Sequence, residues 1–285
     1  MKLVVMGDLH YHEIDATIAG WKEARDAFYD ALLERFLDME ADYHISLGDL
    51  TNYGATTELE EVYALLRRKE RSFIHVLGNH DLYAQSRANV LKLSGGLRYQ
   101  AIDTEMALLV FLDTAREMDL DDWGGWIDDE QLVWLESKVR ASGTKPMLVF
   151  GHHPVHNTTA RSETDMGSIH PGIDMWRILS RKEGTGIYFN GHTHVDSIVQ
   201  RQNWTFVQLS ACLDQFGFRM VEIGEEDIRI APVDLNEAAL AGHAAVLYRH
   251  MPHFRPNPGA RGLDTDREMS IPLLAAARHS QGGSP

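Results

Sequence analysis

The sequence has one cysteine, Cys212, in 285 residues. A single thiol excludes an internal disulfide framework and a thiolate-rich zinc site, and it fits a reducing compartment. No run of 18 apolar residues occurs, so no membrane-spanning helix is expected. Positive charge is also short: 27 lysines and arginines face 42 acids, a net charge of −15. A protein that grips long nucleic acid carries a basic face, so this balance argues against such a partner. The densest basic cluster, Arg67-Arg68-Lys69-Glu70-Arg71, reads as the last turn of a helix, where cations complement the dipole. Internal repeats and low-complexity tracts are absent. The opening residues Met1–Asp8 read as a short strand meeting an acid, too short for a signal peptide. A cytoplasmic location is the expectation.

What is present is an alternation of short apolar runs with amphipathic stretches, which predicts an α/β (α+β) fold. Strands are expected at Leu3–Met6, Tyr43–Leu47, Phe73–Leu77, Ala107–Leu112, Met147–Phe150 and Ile187–Phe189. Helices are expected at Trp21–Met39, at Glu58–Arg68 with a capping box of Thr57 and Glu60, and at Asp129–Arg140. After Val195 four apolar runs follow without helices, which predicts an antiparallel meander. The division expected is a catalytic domain over 1–235 and a C-terminal extension over 236–285. In that extension Pro252, Pro256, Pro258 and several glycines break any period. It reads as an arm that caps the domain or contacts a second subunit.

Fifteen histidines exceed what packing needs, and many fall in five short motifs: Gly7-Asp8-Leu9-His10, Gly48-Asp49, Gly78-Asn79-His80-Asp81, Gly151-His152-His153 and Gly191-His192-Thr193-His194. Each directly follows an expected strand. Ligands of α/β sheets gather beyond the strand C-termini, so five polar clusters at five strand ends can converge. Imidazole and carboxylate suit zinc, manganese or iron. Asp49 is placed to bridge two ions. Any one of these residues alone would read as an ordinary turn residue; five in order read as a metal site.

The ordered set resembles the calcineurin-like metallophosphoesterase superfamily, over residues 8 to 194. Gln131-Leu132-Val133-Trp134-Leu135 also resembles that family's mid-domain helix. The resemblance implies a four-layer αββα sandwich, two mixed β-sheets between helices. It implies two metal ions per chain (Mn, Fe or Zn), one held by Asp8, His10 and His194, the other by Asn79, His152 and His192, with Asp49 bridging. A hydroxide bridging the ions, which lie roughly 3.5–4 Å apart in such sites, would attack phosphorus. His80 would face the phosphate and assist the departing alkoxide. Either Asn52 or Asp81 would orient His80.

Departures narrow the branch. Purple acid phosphatases carry a tyrosine three residues after the bridging aspartate, where this chain has Asn52. Protein Ser/Thr phosphatases carry Asp-Arg there and a motif ending in Glu, where this chain has Asn52-Tyr53 and Asp81. The chain is most similar to the bacterial class III cyclic nucleotide and glycerophosphodiester phosphodiesterases. That implies a small phosphodiester as substrate and a homo-oligomer. A monoesterase or nucleotide-diphosphate hydrolase on the same ions is the alternative; a DNA nuclease and a non-catalytic scaffold rank below it. Val155–Gly172 and Thr114–Asp128, the latter with Trp123 and Trp126, would select the substrate, or would be plain surface loops. His153 would lie behind the metals or toward the substrate, His12 at the surface or in the pocket. His44, His75 and Asp113 would be structural.

Overall fold

In the first strand Leu3 and Val5 alternate with Val4 and Met6, so the two pairs face opposite ways. Both faces are buried. In the computed structural model, which describes residues 1–235 and 238–273, this strand sits inside a sheet packed on both sides. The chain runs β1 (Lys2–Met6), α1 (Trp21–Asp38), β2 (Tyr43–Ser46), α2 (Thr56–Leu66), β3 (Phe73–His75), α3 (Arg87–Ser94), β4 (Gln100–Asp103), β5 (Leu108–Phe111), α4 (Asp129–Ala141), β6 (Met147–Phe150), α5 (Met175–Leu179), β7 (Gly186–Asn190), β8 (Ser197–Arg201), β9 (Trp204–Gln208), β10 (Gly217–Ile223), β11 (Asp227–Asp234), α6 (Ala238–Leu247) and β12 (Met269–Pro272).

Two six-stranded sheets result, ordered β12-β11-β10-β1-β2-β3 and β4-β5-β6-β7-β9-β8. Both are mixed. In the first, β1, β2 and β3 are parallel and β10 joins β1 antiparallel. In the second, β5, β6, β7 and β9 are parallel, with antiparallel β4 and β8 at the edges. Three apolar layers follow from the alternation. Leu3, Val5, Leu148, Phe150 and Phe189 fill the space between the sheets. Val4 and Met6 face α1 and α2 through Phe28, Leu32 and Val62. Val149 and Tyr188 face Leu135 and Val139 of α4. Each fully buried Leu or Val contributes about 1.5–3 kcal/mol. The architecture is the expected αββα sandwich.

Several sequence expectations change. The four runs after Val195 form two hairpins, not one meander: β8–β9 belongs to the second sheet and β10–β11 to the first. Their apolar pattern is common to either sheet, so it cannot show the crossing. At α2 the helix starts at Thr56, and the capping acid is Glu58, whose carboxylate accepts the N–H groups of Tyr53 (2.9 Å) and Ala55 (3.3 Å). Glu60 is not the cap. Beyond Leu66, Arg68 pairs with Asp30 at 2.8 Å and Arg71 Nε donates to the Leu37 carbonyl at 2.8 Å, so the basic cluster fastens α2 to α1.

The C-terminal extension is more regular than its prolines suggest. Ala238–Leu247 is helix and packs on α1; its run of alanines favours helix before the first proline. Met269–Pro272 adds an edge strand to β11, where Pro272 is tolerated. Arg267 lies buried between them, with Nε donating to Asp196 at 3.1 Å and Nη1 to Asp234 at 3.0 Å. The described part of the arm therefore lies on its own domain; residues 236–237 and 274–285 are outside the described ones. Among the described residues no helix is long and apolar enough to cross a membrane.

Candidate metal centre

The carboxyl ends of β1, β2 and β3 in one sheet and of β6 and β7 in the other open on a common edge. The residues just past them need tight backbone. His10, Asp49, His192 and His194 all have positive φ, at 53°, 46°, 74° and 54°. Left-handed backbone outside glycine costs about 1–3 kcal/mol per residue and clusters at functional sites. The preceding glycines have a steric reason as well. A Cβ at Gly191 would lie 2.0 Å from Asp8 Oδ1, and one at Gly48 would lie 2.5 Å from His152 Nδ1. The predicted residues are packed too closely for a side chain between them.

Asn79, His152 and His192 form one group. His152 Nδ1–H donates to the Leu47 carbonyl at 2.9 Å, and His192 Nε2–H donates to the Met166 carbonyl at 2.8 Å. These bonds fix the ring orientations and aim His152 Nε2 and His192 Nδ1 inward, toward Asn79. Asn79 Nδ2 donates to Tyr83 Oη at 2.7 Å, so its Oδ1 is the inward atom. Oδ1 lies 3.1 Å from each of the two ring nitrogens, which are 3.3 Å from one another. Three potential ligand atoms converge, and the proton that Asp49 favours on His152 is one that a bound cation would displace. A cation satisfies that arrangement, and the donor set of two imidazoles and a carbonyl oxygen suits a borderline divalent metal.

Asp8, His10, Asp49 and His194 form a second group, their ligand atoms all within 4.8 Å of one another. His10 Nε2 and His194 Nε2 are 3.1 Å apart, and His194 Nε2 is 3.0 Å from Asp8 Oδ2. Asp8 Oδ1 is buried without a hydrogen-bond partner, an unmet acceptor that a cation would satisfy. Asp49 Oδ2 lies 3.3 Å from His152 Nε2 and links the two groups. Burial works against charge at Asp49, but His152 and His80 beside it hold the carboxylate well below its usual range. Burial likewise opposes charge at His152, yet Asp49 raises it to about 9.

His80 stands apart. Its Nδ1–H donates to the Asn52 backbone carbonyl at 2.7 Å, which points Nε2 into the cleft, 4.0 Å from Asp49 Oδ2. Its backbone N–H donates to Asp49 Oδ1 at 2.8 Å. Asn52 thus orients the ring. Asp81 does something else: it accepts the N–H groups of Thr51 and Gly78, at 2.9 Å each, and bonds His75 Nε2 at 3.0 Å, joining the loops after β2 and β3.

The remaining histidines sort by their partners. His153 lies beside His192, but both its nitrogens are used: Nε2–H donates to the Trp123 carbonyl at 2.9 Å and Nδ1 accepts from Thr114 Oγ1 at 2.8 Å. It holds the 114–128 loop against the site. His12 is neither exposed nor in the cleft; it is buried against Trp21 and Tyr29, and burial pushes it down to about 4. His44 is buried against Phe36 and His75 is spoken for by Asp81. Asp113 is paired with Arg87 and Arg98, at 2.7 Å each.

A cleft of about 870 Å³ opens over Asp49, Asn79, His80, His192 and His194. Both expected loops reach it, through Trp123 and through Arg161–Gly167. Trp123 is 44% exposed, so it is turned to the cleft and not into the core. Sequence reasoning missed three contributors. Phe254 of the C-terminal extension packs on His10 and His194, with ring centroids at 5.0 and 5.3 Å. Asp214 places a buried carboxylate oxygen 3.9 Å from His194 Nδ1. Tyr83 supports Asn79. None belongs to a glycine-preceded motif, so no local pattern marks them.

These two convergent clusters at the carboxyl edge of an αββα sandwich define a metal-dependent hydrolase of phosphate esters. Residues 1–196 match the calcineurin-like phosphoesterase family, and the chain belongs to it. It is 26% identical over 200 residues to the "Probable cyclic nucleotide phosphodiesterase" of Rhodopseudomonas palustris, covering 68% of this chain and 72% of that protein. It is 25% identical over 223 residues to the "Glycerophosphodiester phosphodiesterase GpdQ" of Enterobacter lignolyticus, covering 75% and 78%. Among solved structures, a dimetal phosphatase from Danio rerio shares the fold at a TM-score of 0.67 and 15% identity, covering 82% of this chain and 96% of that one. A purple acid phosphatase from yellow lupin does so at 0.52 and 12%, covering 82% and 51%.

Proposed function

We propose that the protein is a phosphodiesterase for small phosphodiesters, such as cyclic nucleotides, glycerophosphodiesters or similar molecules, working with two metal ions. The observation that carries this reading is the meeting of Asn79 Oδ1, His152 Nε2 and His192 Nδ1 within 3.1–3.3 Å, a ready set of ligand atoms. Asn79, His152 and His192 would hold one ion; Asp8, His10 and His194 the other; Asp49, which touches both groups, would bridge them. Manganese, iron and zinc all match these donors. Bound there, the ions would supply a polarised phosphate and a nucleophilic water at neutral pH.

The chain's own groups do the rest. Leu47 and Met166 carbonyls hold two imidazoles in the ligating tautomer. Asn52 holds His80 with Nε2 toward the cleft, where a protonated ring would stabilise the phosphate or give a proton to the leaving alkoxide. Phe254 and Trp123 wall the cleft and keep water from its sides. The two curated relatives, both named as phosphodiesterases, support the diester over the monoester. The test compares kcat/KM on bis(4-nitrophenyl) phosphate and 4-nitrophenyl phosphate with Mn²⁺ present. A faster diester supports the reading; a faster monoester replaces it with the phosphomonoesterase. A homo-oligomer and a cytoplasmic location belong to the same proposal. Light scattering in solution decides the oligomeric state: a mass of two or more chains supports the homo-oligomer, and a single-chain mass removes it.

A further inference from the structure

The cleft is larger than its chemistry needs. About 870 Å³ is in the range that takes a drug-sized ligand, roughly 300–1,000 Å³. A phosphate fills a small part of it, so the groups at the mouth must meet the rest of the substrate. Two of them are guanidiniums, Arg161 and Arg255. In a chain of net charge −15 arginines find carboxylates readily: Arg25, Arg87, Arg98, Arg116, Arg219 and Arg267 are all ion-paired. Among the described residues Arg161 and Arg255 have no carboxylate partner within ion-pair distance; Arg67, Arg71, Arg201 and Arg249 lack one too but do not line the cleft, and the buried Asp214 acts on Arg161 only from beyond that distance. The carboxylates lining the same cavity are Asp49, at its base, and Asp165.

Both arginines are placed by the site itself. Arg161 has left-handed backbone, φ 63°, uncommon outside glycine. Its neighbour Ala160 accepts from Thr193 Oγ1 at 3.1 Å, and Thr193 stands between His192 and His194. Arg161 Nη2 donates to Asn257 Oδ1 at 3.4 Å, while Asn257 Nδ2 donates to the His194 carbonyl at 2.8 Å. Arg255 follows Phe254, the ring packed on His10 and His194. The strand of chain that carries Phe254 is fixed on its other side by Asn52 Nδ2, which donates to the Pro252 carbonyl at 2.8 Å. The two cations are thus tethered to the candidate metal ligands from two separate segments.

We propose that Arg161 and Arg255 form a second anion subsite, so that the preferred phosphodiester carries a further anionic group, a carboxylate or a second phosphate, on one of its two alcohols. This rests on the phosphodiesterase reading of the site. Guanidinium forks match such groups, and charge-assisted hydrogen bonds to them are about twice as strong as neutral ones.

Two product-type probes test it by calorimetry on the Mn²⁺-saturated protein. Glycerol 3-phosphate and 3-phosphoglycerate share a carbon skeleton and a phosphate, and differ by one carboxylate. The expected result is at least about 10-fold tighter binding of 3-phosphoglycerate, the ratio that one charge-assisted hydrogen bond gives. In R161Q/R255Q, with its metal content checked, the ratio falls to about one. Equal affinities in the wild type overturn the subsite, as does a ratio that survives in the double variant, which would assign the carboxylate to the metals. Binding of neither probe sinks the phosphoesterase reading itself, and the subsite with it.

Discussion

His80→Ala separates turnover from metal holding. The ring makes one hydrogen bond, from Nδ1 to the Asn52 carbonyl, an edge contact with His10 at 4.6 Å and a tilted contact with Tyr83 at 4.7 Å. The tie to the metal centre runs through the backbone: the His80 N–H holds Asp49 Oδ1 at 2.8 Å, and alanine keeps it. Truncation therefore leaves the candidate ligands in place. It leaves the Asn52 carbonyl without its donor, a stability cost of about 1–3 kcal/mol, less where water enters the vacated space. The loss of a positioned general acid lowers kcat about 10²- to 10⁴-fold, or about 3–5 kcal/mol of barrier. Steady-state kinetics on bis(4-nitrophenyl) phosphate, paired with metal analysis of the same sample, measure both effects. Unchanged kcat would remove His80 from the reaction. Loss of a metal ion would make it a ligand and refute the assignment.

Two further outcomes follow from the same contacts. Arg267→Ala leaves Asp196 buried with Arg219 as its sole guanidinium partner and should cost about 3 kcal/mol, the lower part of the range for breaking a buried pair. Thermal unfolding reads it, and an unchanged transition would show that the C-terminal segment is not clamped there. Cys212 is buried and burial pushes its thiol up, so it should resist a thiol reagent in the folded protein and react after denaturation. Fast labelling of the native protein would contradict the packing around Asp8.

Much of this was legible because chemistry and strand ends coincide. Each motif residue follows a short apolar run, and the run sets where the chain turns, which places Asp8, Asp49, Asn79, His152 and His192 near one edge. Sheet membership was not legible. β9 and β10 carry similar apolar patterns, and only the packing sends one to each sheet. β4 and β12 are short edge strands with little alternation, and α6 is alanine-rich without a polar face, so periodicity could not find them. The left-handed backbone of His10, Asp49, His192 and His194 is imposed by crowding at the site, against local preference. Phe254 and Asp214 come from irregular segments remote in sequence from what they touch. Asn52 acts through its backbone carbonyl, which its side chain does not announce.

The most direct test of the account is metal stoichiometry. Mass-spectrometric metal analysis of the Mn²⁺-saturated protein should give two ions per chain, and His152→Ala and His194→Ala should each hold one, because the two imidazoles belong to different clusters. Two ions in the wild type and one in each variant fit the dinuclear centre described here. Fewer than two in the wild type, with no hydrolysis of the diester, would contradict it.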